Sequence, residues 1–516
     1  MNLLKTLAAV SSMTMLSRLT GLLRESLFAR AFGAGAYTDA FVVAFRIPNL
    51  LRRLFAEGAF SQAFVPILSE YKSQHGQQAS KSLVDHVATT LVWATVAISI
   101  LGIVGAPLFV YLIATGLNDK PGAFDAAVWM TRLMFPYISF MSFVALAGGV
   151  LNTWRQFKIP AFTPVLLNLS FIAASLFLQK HLEQPIYAMA IAVVVGGVLQ
   201  VGFQIPALIK IGMLPRLSLN PVGGLKDPGV RRVLKKMGPA VFAVSAAQIS
   251  LMINTSIASQ LAEGSISWLS YADRLMEFPT AMLGVALGTI LLPSLSKANA
   301  DNDLEEYSTL LDWGLRLTFL LALPSAVGLA TMAVPLIATL FHYGKFTGEA
   351  ATMSAQPLIA YSIGLIGIIL VKTLAPAFYA RQDIRTPVKI AMGVLVATQL
   401  MNLIFVPRIA VAGLALSIGL GACLNAGFLY AGLRKRGIYT PKPGWMAFFA
   451  KLVPACAALG ATSWYLSSRI DWLGMQAQPL LRAGALFGVI AVSAAVYFGV
   501  LLLAGFRFRD FKRSAR

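Results

Sequence analysis

Apolar runs of about 20 residues recur along the whole chain, each bounded by a short polar, glycine or proline break, and runs of that length cross a bilayer as helices. Spans are predicted near residues 6–30, 37–68, 87–114, 128–152, 160–179, 186–209, 237–260, 266–295, 310–340, 353–378, 387–406, 410–433, 445–467 and 481–505. The pattern therefore predicts an all-α integral membrane protein with about fourteen transmembrane helices. The first two spans stand apart. From Thr14 to Pro66 they break at Gly33-Ala34-Gly35 and carry Arg18, Arg24, Glu25, Arg30, Asp39, Arg46, Arg52, Arg53 and Glu57. An arginine near a helix centre costs roughly 2.5–3.5 kcal/mol on insertion scales, so these groups must line a wet interior or pair with one another.

Helical periodicity sharpens this. At about 100° per residue, Ser11, Thr14, Ser17, Arg18, Gly21, Arg24 and Glu25 share an arc of roughly 140°, with Leu16, Leu19 and Leu23 opposite. Gly21 projects between Arg18 and Arg24, so no side chain of this helix separates the two guanidinium groups. Such a pair suits a phosphate or carboxylate, whose oxygens a planar fork meets two at a time. On the second helix Asp39, Arg46 and Glu57 share a stripe, while Pro48 introduces a kink that leaves the facing of Arg52 open.

Composition changes the picture in two respects. The 516 residues are 57% hydrophobic and only 12% charged, and the net charge is +21. Counted over alternate loops, Lys and Arg number about 25 on one side and about 7 on the other, which places both termini in the cytoplasm and requires an even number of spans. The basic loops, chiefly Lys210 to Lys236, Arg434-Lys435-Arg436 and the tail after Arg507, are thus a topology signal with contact to anionic lipid, and no nucleic-acid partner is expected. Cys423 and Cys456 lie in apolar segments and imply neither a disulfide framework nor a metal site. Lys5 before an apolar run imitates a signal peptide, but without an A-x-A pattern it reads as an uncleaved first helix.

The two halves echo each other at an offset of about 227 residues. Val65-Pro66 parallels Leu292-Pro293, Ala106-Pro107 parallels Val334-Pro335, and Trp154-Arg155-Gln156 parallels Ala380-Arg381-Gln382. An offset of six helices gives two parallel six-helix lobes around a central cavity, with two extra helices at the C-terminal end. The expected organisation is 1–210 for the first lobe, 211–236 for a basic linker, 237–436 for the second lobe and 437–516 for the last two helices and tail. The eighth helix is the counterpart of the second. It presents Ser270, Asp273, Glu277 and Thr280 on one face with Arg274 at its edge, so the acids either lock the helix or hold Arg274 toward a cavity. Arg132 and Lys372 are read as snorkelling toward span ends. The four histidines form no ligand spacing, and no Walker A, H-E-x-x-H or nucleophile elbow is present.

The motifs of the first two helices resemble the lipid II flippase family, also called MurJ or MviN. They are Arg18-Leu19-Thr20-Gly21 with Arg24-Glu25, Phe32 to Gly35, Thr38 to Phe41 and the run from Pro48 to Pro66. Tyr271 to Pro279 and Leu283 to Pro293 resemble that family's eighth helix. The resemblance implies a fold of the multidrug/oligosaccharidyl-lipid/polysaccharide exporter superfamily. It also implies a transporter, not an enzyme, that moves lipid II, the undecaprenyl-diphosphate-linked peptidoglycan precursor, across a bacterial inner membrane. Family positions important for activity map onto Arg18, Arg24, Asp39, Arg52, Arg274 and Glu277, with Gly21, Glu25, Asp273 and Glu57 in support. The family's last two helices form a groove thought to take the lipid tail. A sodium site described for some members would draw here on Asn254, Asp383 and Asn402, without a clear match; no other cofactor or metal is expected, and the protein is expected to act as a monomer. Two rival readings are export of another polyprenyl-diphosphate glycan, which the same arginines would serve, and cation-coupled drug export, which favours acids and aromatics. A third, a non-transporting scaffold, gives no reason for charge in both lobes.

Overall fold

In hydrocarbon every backbone group must be satisfied within its own segment, which favours helices. Among the residues described by the computed structural model, 3–52 and 59–506, every regular element is helical. Two compact units emerge, one up to Ile266 and one from Ser267.

The first unit holds α1 (Leu3–Phe32), α2 (Ala36–Arg52), α3 (Ala59–Gln74), α4 (Gly76–Ile113), α5 (Ala123–Met134), α6 (Tyr137–Thr153), α7 (Lys158–Leu176), α8 (Tyr187–Lys210), the short α9 (Pro221–Leu225) and α10 (Pro228–Ser259). Phe60, Phe64, Val84, Leu146, Leu208 and Val230 form a buried core shared by α3, α4, α6, α8 and α10. The repeat assigned the seventh span to the second half, yet α10 is part of this unit. Val230 and Val233 near its start are buried in that core, and two polar contacts accompany them. The Asp227 side chain accepts from the Gly229 and Val230 amides at 2.7 and 3.2 Å, and Arg232 makes a two-pronged ion pair with Glu70 of α3 at 2.9 Å.

The second unit holds α11 (Ser265–Pro279), α12 (Ala286–Ala300), α13 (Leu304–Thr331), α14 (Ala333–Phe341), α15 (Gly348–Tyr379), α16 (Arg385–Lys435), α17 (Trp445–Ser468) and α18 (Pro479–Leu503). Helices α11 and α12 are joined through a wide π-turn, Thr280–Val285, directly after Pro279. Helix α16 bends at Ile409 and Ala410, where φ reaches 47°, and the bend falls where two spans were expected to meet. Nine stretches among the described residues are long and apolar enough to cross a membrane; α1, α2 and α11, which carry the charged stripes, are not among them. Between α15 and α16 the backbones touch: a Cβ on Gly364 would lie 2.0 Å from the Gly419 Cα.

The internal repeat has a backbone signature. Arg155 and Gln382, 227 positions apart, both adopt the left-handed conformation, with φ of 61° and 60°, in the turns after α6 and α15. A side-chain-bearing residue rarely sits there, so the coincidence reports a shared turn design.

The last two helices are pinned to the second unit at both ends. Asp312 of α13, almost fully buried, accepts from the Tyr439 hydroxyl and the Trp445 indole at 2.8 Å, from the Lys442 amide at 3.0 Å and from Arg316 at 2.8 Å. At the far end Arg482 of α18 is fully buried and donates to the carbonyls of His342 and Trp472 at 3.1 and 3.2 Å. Midway, the Tyr497 hydroxyl donates to the Leu320 carbonyl at 2.6 Å. That carbonyl lacks its helical partner because Pro324 has no N–H. Tyr497→Phe should therefore leave a buried carbonyl unsatisfied and lower stability by about 1–3 kcal/mol, seen as an earlier thermal unfolding midpoint in detergent, with exposed Tyr465→Phe as the neutral control.

Candidate functional site

Within the first unit the charged stripe of α1 meets α7. The Arg24 side chain is 16% exposed, and three groups hold it. Its Nη1 donates to Asn168 Oδ1 at 3.1 Å, its Nη2 pairs with the Glu25 carboxylate, and its guanidinium lies 5.2 Å above the Phe171 ring. Asn168 is fixed in turn, donating through Nδ2 to the Ser17 carbonyl at 3.0 Å and the Thr20 hydroxyl at 3.1 Å. Phe171 continues into an aromatic floor with Phe41 and Phe45, at ring separations of 6.2 and 6.1 Å. The notch at Gly21 is not empty as the helical wheel predicts: the Asn168 carboxamide faces it, 3.6 Å from where a Cβ would stand. Arg18 lies about one and two-thirds turns earlier and is exposed.

A guanidinium carries five N–H groups. Asn168 takes one and Glu25 another, which leaves three for the oxygens of an anion. Sequence reasoning missed Asn168. A single asparagine on an apolar helix carries no signal until the facing helix is known.

Asp39 departs from its expected place on a wet stripe. Its carboxylate is fully buried, accepts from the Gly264 amide at 2.9 Å and lies 3.7 Å from Lys120 Nζ. The exchange is reciprocal, since Glu263 accepts from the Ala36 amide at 2.9 Å. Beside it the Gly116 amide donates to Ser259 Oγ at 3.1 Å, and a Cβ on Gly116 would lie 2.2 Å from the Ser259 carbonyl oxygen. Asp39 thus closes a clasp at one end of the unit, with Lys120 and Glu263 as members that the sequence did not single out.

In the second unit α11 presents Arg274 paired with Glu277 at 3.2 Å, their side chains 37% and 54% exposed. An ion pair so open to solvent contributes at most about 1 kcal/mol. Asp273 is half-buried on the same helix. Lys372, read as snorkelling toward a span end, has a partner within the protein. It donates to the Thr280 carbonyl at 3.4 Å, within the π-turn that follows Pro279. Arg132 is likewise engaged, donating to the Ile103 carbonyl at 3.3 Å, which Pro107 leaves without a helical donor. The side chain of Arg52, and Arg53 and Glu57 altogether, lie outside the described residues.

Of the residues named for a sodium ion, Asp383 and Asn402 do not come together. Asp383 caps the start of α16, pairing with Thr386 and, at 2.6 Å, with Arg436; these hydrogen bonds hold its carboxyl down to about 2. Asn402 lies about 25 Å further along that helix at 1.5 Å per residue, too far to share an ion with Asp383. Asn254 is buried on α10 of the first unit. No cluster of three His, Cys, Asp or Glu side chains suits a metal among the described residues.

What the α1–α7 arrangement offers is a pre-oriented cation on an apolar floor. Asn168→Leu removes the acceptor that orients Arg24, and a hydrogen bond to a charged group contributes about 1.5–3 kcal/mol. A pyrophosphate-bearing ligand should therefore bind about 10- to 100-fold more weakly to this variant, measured by titration of the purified protein, with its thermal midpoint as the folding control.

Comparison with known proteins gives this geometry its context. A sequence profile described as lipid II flippase MurJ matches residues 28–481. The lipid II flippase MurJ of Burkholderia cenocepacia is 60% identical over 516 residues, covering 100% of both chains. A probable lipid II flippase MurJ of Vibrio cholerae is 41% identical, covering 99% of this chain and 98% of the relative. Among solved structures, a lipid II flippase MurJ in an inward closed conformation superposes with a TM-score of 0.80 at 24% identity, covering 98% of this chain and 99% of the other. An inward-facing multidrug resistance MATE family transporter of the MOP superfamily superposes at 0.65 with 16% identity, covering 84% of this chain and 98% of that one, and shares the fold alone. The profile match and the full-length identity together establish that this multi-pass membrane protein belongs to the lipid II flippase MurJ family of transporters.

Proposed function

We propose that the protein carries lipid II across a bacterial inner membrane, and that Arg24 is the central anchor for its diphosphate. The observation that carries this reading is the fixed guanidinium: oriented by Asn168, balanced by Glu25, backed by Phe171, and still offering three N–H groups. A pre-oriented planar fork loses little freedom on meeting two phosphate oxygens. Exposed Arg18 on the same helix supplies a second cation to the same head group, and Arg274 is assigned a similar role on α11. The polyprenyl tail stays in lipid while the polar head is carried across by alternating access.

Basic loops place both termini in the cytoplasm in this reading, so transport runs outward. The membrane potential then assists, because moving a dianion from the negative to the positive side releases roughly 4–5 kcal/mol at 100 mV. Membership of the family supports the substrate, and the two hydrogen-bonded partners of Arg24 support the site.

The test is flipping of fluorescent lipid II in proteoliposomes. Arg24→Ala should abolish transport and Arg24→Lys should retain only a fraction, because an ammonium has no fork. Wild-type rates in Arg24→Ala would overturn the anchor. Equal transport of an unrelated polyprenyl-diphosphate glycan by the wild-type protein would overturn the assignment of lipid II as the dedicated cargo.

A further inference from the structure

We propose that the second unit binds one acyl chain of an anionic bilayer phospholipid in a half-open cavity bordered by α13, α15, α16 and the start of α17. The cavity measures about 540 Å³, and its wall includes Phe319, Leu370, Cys423, Tyr430 and Trp445. Two of its polar wall groups are turned away: the Tyr439 hydroxyl and the Trp445 indole N–H both donate to Asp312. The rest of the wall is chiefly hydrocarbon and ring surface, with the Cys423 thiol and Tyr430 hydroxyl as its other polar groups, so the occupant is apolar along most of its length.

The mouth is charged. Cys423, Gly427 and Tyr430 line one stripe of α16, and Arg434 is the next residue on that stripe, exposed just beyond the wall. Across the opening Pro441 belongs to the wall, and Lys442 follows it, its ammonium 3.3 Å from the largely exposed Glu305. Tyr430, Tyr439 and Trp445 stand at this end, the placement of an interfacial aromatic belt. An apolar shaft with aromatic rings and cations at its rim matches a lipid whose chain is buried and whose phosphate meets Arg434.

Size separates this occupant from the transported substrate. A cavity of about 540 Å³ lies within the usual 300–1,000 Å³ of small-ligand sites and holds one chain of fatty-acid length, whereas an undecaprenyl tail is several times longer. The bound chain would fill the seam between α16 and α17 in the leaflet facing the basic loops. This site is independent of Arg24 and of the transport reading.

Gly427 supplies the test, because it belongs to the wall and a Cβ there would meet nothing within 4 Å, so a side chain can be added to the wall at this position. The full-length protein is reconstituted in vesicles of equal phosphatidylglycerol and phosphatidylcholine, recovered in detergent and washed, and its retained lipid is counted by mass spectrometry. The wild type should keep phosphatidylglycerol in preference to phosphatidylcholine, and Gly427→Leu should keep about tenfold less. Exposed Arg434→Glu, which leaves the cavity intact, should still keep a chain but lose the preference for phosphatidylglycerol. Undiminished phosphatidylglycerol in Gly427→Leu, or an unchanged preference in Arg434→Glu, would overturn the site. Displacement of the retained phospholipid by an added polyprenyl phosphate would overturn the choice of occupant.

Discussion

Every unusual feature of this molecule answers one constraint: a polar group inside a bilayer must find a partner that belongs to the protein. Proline shows it most simply. Pro107 and Pro324 each strand a carbonyl one turn back, and in both cases a side chain from another helix, Arg132 or Tyr497, supplies the missing donor. The carboxylates follow the same rule at higher stakes. Asp39 and Asp312 are buried at 0% and 4% exposure, and each accepts from a backbone amide and lies beside a cation. Such contacts connect helices far apart in sequence, so the groups that are costly to bury also specify which helices pack together.

Arg24 belongs to this economy and also stands outside it. Asn168 and Glu25 leave part of its donor capacity unspent, whereas Asp312 receives four hydrogen bonds. A binding group must be satisfied enough to stay in place and unsatisfied enough to reward a ligand. The neighbouring acid is therefore no contradiction of an anion site, since it holds the guanidinium from one side only.

Much of this could be read from the chain. The charged arc of α1 follows from helical spacing alone, and the repeat is visible both in paired motifs and in the matched left-handed turns at Arg155 and Gln382. Partners were less legible. Asn168 and Lys120 sit 144 and 81 positions from the residues they hold, and nothing in their own neighbourhoods marks them. The placement of α10 was also hidden: paired motifs do not say which helices share a core, and Val230 and Val233 of α10 are buried among residues of α3, α4, α6 and α8. Lys372 was only partly legible for the same reason: its partner, the Thr280 carbonyl, lies 92 positions away at the start of the π-turn.

The reciprocal clasp at Ala36 and Gly264 has a consequence for symmetry. The two turns stand at corresponding places in the repeat, since position 36 falls on 263 at its offset. Yet the acids that close the clasp, Asp39 and Glu263, do not correspond to one another, and each reaches a backbone amide that any non-proline residue at the receiving position would supply. The joint is therefore asymmetric in its side chains and symmetric only in the turns it ties, and the sequence echo that reveals the repeat gives no hint of it.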